Sequence, residues 1–110
     1  MKLIDKVIQH YDSQGLLQVD VPEFKDDDFD GVIYFKPMTV LERNKLVPEL
    51  SKGNLNFVVT VIIMKAMDKN EQPLFGLEDK PMLMRKGDYK VLDRVANHIL
   101  QGITDKEVGE

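Results

Sequence analysis

The run from Val58 to Phe75, VVTVIIMKAMDKNEQPLF, constrains the fold of this chain more than any other feature. It opens on Val58, Val59, Val61, Ile62, Ile63 and Met64, continues through Ala66 and Met67, and breaks into the polar stretch Asp68 to Gln72. A segment with so little polar surface has to be covered on most sides, because exposed apolar area costs free energy in proportion to its size. The run is therefore the expected centre of the hydrophobic core, and the flanking segments are its candidate cover. Its own conformation is open on composition: Val58 to Ile63 is β-branched in the manner of a strand, whereas the length from Leu55 to Met67 and the Met64-Lys65-Ala66-Met67 ending favour a helix buried on most faces.

A chain of 110 residues has the length of one domain, and burying roughly 65% of its unfolded surface suffices for independent folding. Residues 1–103 are expected to form that domain, with 104–110 a flexible acidic tail. The longest apolar run falls well short of the roughly 20 residues that a bilayer-spanning helix needs, so no membrane is expected as a partner. Lys2, Asp5 and Lys6 interrupt what a signal-peptide core would keep apolar, and an intracellular protein is the expectation. The sequence has no cysteine, which excludes disulfides, thiolate zinc sites and cysteine nucleophiles. With a net charge of −4 and no basic run longer than two residues, no nucleic acid is expected either.

Ahead of the spine, Leu3, Ile4, Val7, Ile8 and Tyr11 recur at helical spacing with Lys2, Asp5, Lys6 and Gln9 opposite, which predicts an amphipathic helix ending at Gly15. Leu16 to Pro22 alternates apolar and polar residues as a strand does, and Val32 to Phe35 predicts its antiparallel neighbour. The acidic connection between them resembles the first half of a calcium loop in Asp26, Asp28, Asp30 and Gly31, but Pro37 stands where a bidentate Glu is required and neither flank is helical. A solvated loop that keeps a sheet edge from pairing with another molecule is the better reading. Thr39 and Glu42 match a capping box, opening a second helix with Val40, Leu41 and Val47 as its expected buried stripe and Pro48 as its expected end or kink.

Beyond the spine, Leu77 to Lys86 predicts a short helix capped by Asp79, with Pro81 tolerated in the first turn. Asp88 is expected to cap a final helix whose stripe is Val91, Leu92, Val95, Ala96, Ile99 and Leu100, stopped by Gly102. These elements add up to an α+β fold, a mainly helical single domain with a small antiparallel two- to three-stranded sheet.

Little here builds an enzyme. His10 lies at a helix end near Asp12, where a histidine is more often a favourable C-terminal charge, and His98 lies in the last helix. No nucleophile elbow, P-loop, dinucleotide fingerprint or helical zinc signature is present, so neither catalytic residues nor cofactors or metals are expected. Binding is the stronger prospect. Met64, Met67, Met82 and Met84 gather around the spine and the short helix, and the thioether adapts to several partner shapes. At least half of them are expected to fill core gaps. A helix broken by Pro81 and Gly87 cannot hide Met82, Leu83 and Met84 on one stripe, so those three, with Phe75, are the candidate partner-binding residues.

The succession Tyr34-Phe35-Lys36-Pro37-Met38-Thr39-Val40-Leu41-Glu42-Arg43, the apolar run into Ile63-Met64-Lys65-Ala66-Met67-Asp68, the turn ending Gln72-Pro73-Leu74-Phe75, and Glu78-Asp79 with Leu83-Met84 before a last amphipathic helix resembles the tail assembly chaperones of long-tailed bacteriophages. The resemblance spans about Val32 to Leu100. It implies a non-enzymatic protein in the cytoplasm of the bacterial host, absent from the mature virion. Its partner would be the aggregation-prone tape measure protein, around which it helps the tail tube assemble, with the major tail tube protein as a further candidate. It also implies self-association into a homo-oligomer and a central helix at the spine. A small prophage-encoded regulatory or host-interaction module that binds one folded protein is the alternative reading.

Overall fold

The computed structural model describes residues 2–102. The first helix, α1 (Leu3–Gln14), runs to Gly15, whose φ of 63° lets the chain turn out of the helix. Strand β1 (Leu17–Asp20) pairs antiparallel with β2 (Val32–Phe35), in the register Leu17 opposite Phe35 through Asp20 opposite Val32. The alternation seen in the sequence is a real two-faced ribbon: Val19, Val21, Ile33 and Phe35 are buried, while Gln18 and Asp20 face solvent. The strand stops short of Pro22, which instead opens a 3-10 turn over Pro22–Phe24.

Helix α2 (Val40–Leu50) begins at the expected capping box: Thr39 Oγ1 accepts from the Glu42 amide at 3.1 Å, and a Glu42 carboxylate oxygen accepts from the Thr39 amide at 3.0 Å. Of the two outcomes expected at Pro48, the helix does not end there: α2 runs two residues further, to Leu50. The expected buried stripe is corrected. Val40, Leu41 and Val47 are exposed, and the residue buried on this helix is Leu46. A short amphipathic pattern such as this fits more than one face, and α2 meets the core along the line that Leu46 occupies.

The spine is a helix, α3 (Asn54–Lys65), entered through Gly53 at φ 113°. Phe57, Val59, Val61, Ile62 and Lys65 are buried along it, and it packs on α2, α4 (Lys80–Lys86) and α5 (Tyr89–Gln101). The helix ends before Met67. Ala66 and Met67 are extended, and Met67 exchanges both backbone hydrogen bonds with Tyr34 at 2.8 Å, adding a single bridged residue to the two-stranded sheet. The expected stripe of α5 is buried except for half-buried Leu100, and His98 joins it. Asp88 caps that helix through the Lys90 amide at 2.9 Å, and Gly102 ends it in the left-handed conformation. The architecture is thus α+β, with five α-helices and one two-stranded antiparallel sheet among the described residues. The expected tail at 104–110 lies outside the described residues.

Helix α1 departs from expectation in its surroundings. Its amphipathic pattern is as predicted, yet none of its residues is buried, and on its apolar face Tyr11 alone is half-buried.

Candidate functional site

An open apolar groove of about 590 Å³ lies between α4 and the segment that joins the two strands. Each wall is held by identifiable contacts. On the α4 side, Lys80 Nζ reaches Glu49 of α2 at 3.4 Å, and the same carboxylate accepts from the Asn56 side chain at 2.9 Å, which ties α4 to the α2–α3 corner. At the other end of α4, Gly87 passes so close to its neighbours that a Cβ there would sit 2.5 Å from both the Leu83 carbonyl oxygen and Leu92 Cδ1. The sequence thus places glycine where the chain passes tightly from the end of α4 into α5.

The opposite wall is the 3-10 turn and the acidic loop. Arg94 of α5 grips Glu23 with two hydrogen bonds of 2.9 Å and donates a third to the Asp20 carbonyl at 3.1 Å. The guanidinium's hydrogen bonds hold the Glu23 carboxyl far below the usual range, at about 2. Phe24, next in sequence, is thereby carried to the groove. Within the loop, Asp26 Oδ1 accepts from the amides of Asp28 and Phe29 at 2.8 Å each, and the Asp26 amide donates to the Phe29 carbonyl at 3.0 Å. Asp30 accepts from the Val32 amide at 3.1 Å, and Gly31, at φ 82°, turns the chain into β2. The carboxylates that resembled calcium ligands therefore shape a compact loop that presents Phe29. Among the described residues, no group of three or more His, Asp or Glu side chains is arranged to hold a metal ion.

Phe75 arrives by a third route. Asp68 Oδ1 accepts from the amides of Asn70 and Gln72 at 2.8 and 3.0 Å, closing the turn after α3 with Glu71 at a φ of 63°. An ion pair of 2.7 Å between Lys36 and Glu71 fastens the turn to the end of β2 and raises the Lys36 pKa. The chain then runs back past Ala66, where the Leu74 amide donates to the Ala66 carbonyl at 3.1 Å, and delivers Phe75 to the groove.

Of the four candidate residues, the structure brings together Phe75, Met82 and Leu83. Met84 is separated from them. It lies in a small crevice of about 60 Å³ on the other side of α4, with Leu55, Val58 and Tyr89. Residues two apart on a helix point in nearly opposite directions, so Met82 and Met84 cannot share a face while Leu83 lies between them. Asp79, expected to cap α4, accepts instead from the Gly76 amide at 2.9 Å and so closes the 3-10 turn that precedes the helix. Phe24, Phe29 and Ile33 were not anticipated as part of this surface. The signal was present in two aromatic residues set in an otherwise charged connection, Glu23 to Asp30, where a purely solvated loop has no use for them.

The histidines are elsewhere in character: His10 is exposed on α1, and His98 is buried in α5 with Nδ1 2.8 Å from the Arg94 carbonyl oxygen. The groove itself offers apolar surface between charged banks, with Asp79 and Lys86 at its edge and the acidic loop opposite. Such a surface suits the apolar stripe of a partner helix. No protein-family model, curated protein or solved structure matches this chain. No helix among the described residues is long and apolar enough to cross a membrane.

Proposed function

We propose that this chain is a non-enzymatic tail assembly chaperone of a long-tailed phage or prophage. In this reading it acts in the bacterial cytoplasm, binds the tape measure protein, promotes tail tube assembly around it and does not remain in the virion. The sequence resemblance from Val32 to Leu100 motivates the reading. The observation that carries it is the groove, where Phe75, Met82 and Leu83 face Phe24 and Phe29 across an open cleft.

A tape measure protein is a long helical client whose apolar stripe must be kept from aggregating. A helix laid in a groove is recognised through anchors at successive turns, and methionine tolerates variation in their shape. Many copies of a small domain, each with one modest seat, cover such a client by multivalency without needing a tight individual site. The charged banks keep the unoccupied surface soluble.

The test is co-expression of the full chain with the tape measure protein encoded beside it. The client is expected to become soluble and to co-purify, and Met82→Glu, at an exposed groove position, is expected to abolish both effects while leaving the circular-dichroism spectrum unchanged. A client that stays insoluble whether or not the intact chain is present would overturn the reading.

A further inference from the structure

We infer that the segment seated in the groove is a short amphipathic helix with lysine or arginine along one edge of its apolar stripe, and that the acidic loop selects it by that edge. The inference rests on the chaperone reading's use of the groove as a helix seat and adds the chemistry of the client segment. It follows from the length of the groove and from the charge of its two banks.

Along α4 the groove runs from Asp79 to Lys86. At a rise of about 1.5 Å per residue that is about 10 Å, or two turns of a helix lying alongside. Such a seat takes the anchors of two successive turns among Phe24, Phe29, Phe75 and Met82, and its apolar contact is correspondingly small. What distinguishes one apolar stripe from another then comes from the rim, where charge decides among partners more than it adds affinity.

The α4 bank carries both signs, with Asp79 just ahead of the helix and Arg85 and Lys86 at its end, and so favours neither. The loop bank is one-sided. Asp26, Asp27, Asp28 and Asp30 are exposed around Phe29, and Lys25 is the only cation between Pro22 and Gly31. Glu23 is answered by Arg94, but none of the four aspartates forms an ion pair among the described residues. Asp26 and Asp30 have a local duty, since they accept the amides that shape the loop. The side chains of Asp27 and Asp28 accept no hydrogen bond from any described residue. Adjacent in sequence, these two carboxylates repel one another and contribute nothing to the loop that carries them. They stand instead between the two aromatic residues of the groove wall, Phe24 and Phe29. Unanswered carboxylates along an apolar wall are complementary to a cationic edge along an apolar stripe.

Binding is read by fluorescence anisotropy with the full chain and two labelled peptides of about 18 residues, long enough to be helical. Both share one leucine stripe, flanked at every position by lysine in one peptide and by glutamate in the other. The lysine peptide is expected to bind about tenfold tighter, as two or three rim ion pairs together allow. The preference is expected to vanish near about 1 M salt, where charges are screened within about 3 Å. Asp27→Lys/Asp28→Lys is expected to reverse the preference, and Met82→Glu to weaken the binding of both peptides. The same change of charge on α1, Asp5→Lys/Asp12→Lys, is expected to leave the preference intact, because α1 joins the hairpin at its Leu17–Phe35 end and the loop closes the opposite end. All five positions are exposed, and unchanged thermal unfolding establishes that the variants remain folded. Equal binding of the two peptides, binding of neither, or a preference that survives Asp27→Lys/Asp28→Lys or falls equally with the α1 change would each overturn the inference. Neither peptide is the tape measure protein. A client kept soluble beside equal peptide affinities removes the charge rule alone, whereas a client never captured beside a measured preference removes the chaperone reading alone.

Discussion

Replacing Glu42 by Gln is a demanding test of how the helices are held together. Lys65 is 5% exposed at the end of the central helix, and its Nζ lies 2.7 Å from a Glu42 carboxylate oxygen and 3.4 Å from the Pro37 carbonyl oxygen. Glutamine keeps the shape of Glu42 and an oxygen that can accept from the Thr39 amide, so the capping box survives while the charge opposite Lys65 is lost. Removing one partner of a fully buried pair costs about 3–5 kcal/mol. Glu42 retains 29% side-chain exposure, which admits water and lowers the expected cost to about 2–3 kcal/mol. For a domain of this size that corresponds to a fall in Tm of about 10 °C.

Thermal and urea unfolding followed by circular dichroism read the effect directly. Adding Lys65→Met to Glu42→Gln removes the stranded charge and is expected to recover most of the loss, since an apolar side chain of similar length replaces a buried ion pair at little cost. The pH dependence supplies an independent check. Burial pushes the Glu42 carboxyl up, but hydrogen bonds from Lys65 and the Thr39 amide outweigh it, and the net shift is below the ordinary value of 4.5. The unfolded chain thus binds the proton more readily than the native one. The contribution is complete above 4.5 and is lost as pH falls through the lower folded value, so the parent should lose more stability on acidification than the variant. A Glu42→Gln variant within about 0.5 kcal/mol of the parent near neutral pH, a change no larger than an ordinary surface substitution makes, would refute the assignment of this pair as a tertiary tie.

Other consequences are simpler to read. Arg94→Met should release the Pro22–Phe24 turn and return Glu23 from about 2 to near 4.5 in an NMR titration, and the stability lost between those two values on acidification in the parent should vanish. Gly87→Ala, which sets a methyl group against the Leu83 carbonyl and Leu92, should cost about 1–3 kcal/mol by overpacking in urea unfolding. Leu46→Ala, at a fully buried position, should cost about 2–5 kcal/mol in urea unfolding. The neighbouring Val47→Ala, at a residue 52% exposed, should stay within about 0.5 kcal/mol.

What the sequence determined by itself is the set of features that close within a few residues. The Thr39–Glu42 box, the Asp88 cap, the chain reversals at Gly15 and Gly102 and the stripe of α5 all stand as read, because each rests on hydrogen bonds or side-chain periodicity spanning one to four turns. The central position of the spine was legible too, since a run so apolar has to be covered. Its helical conformation was not decided by its own residues: β-branched side chains suit both states, and the packing of α2, α4 and α5 around it decides for the helix.

Only the tertiary structure decided which amphipathic faces find a cover. Helices α1, α2 and α5 all read as striped, yet α5 is buried along its stripe, α2 turns Leu46 inward in place of Val40, Leu41 and Val47, and α1 buries no residue, with only Tyr11 half-covered. Periodicity shows that a face is apolar, whereas burial depends on a second surface brought from far along the chain. The groove has the same origin. Phe24 and Phe29 reach Phe75 and Met82 because the Arg94–Glu23 fork, the Asp26 loop and the Asp68 turn place their backbones there, while helix geometry alone sends Met84 to the other side.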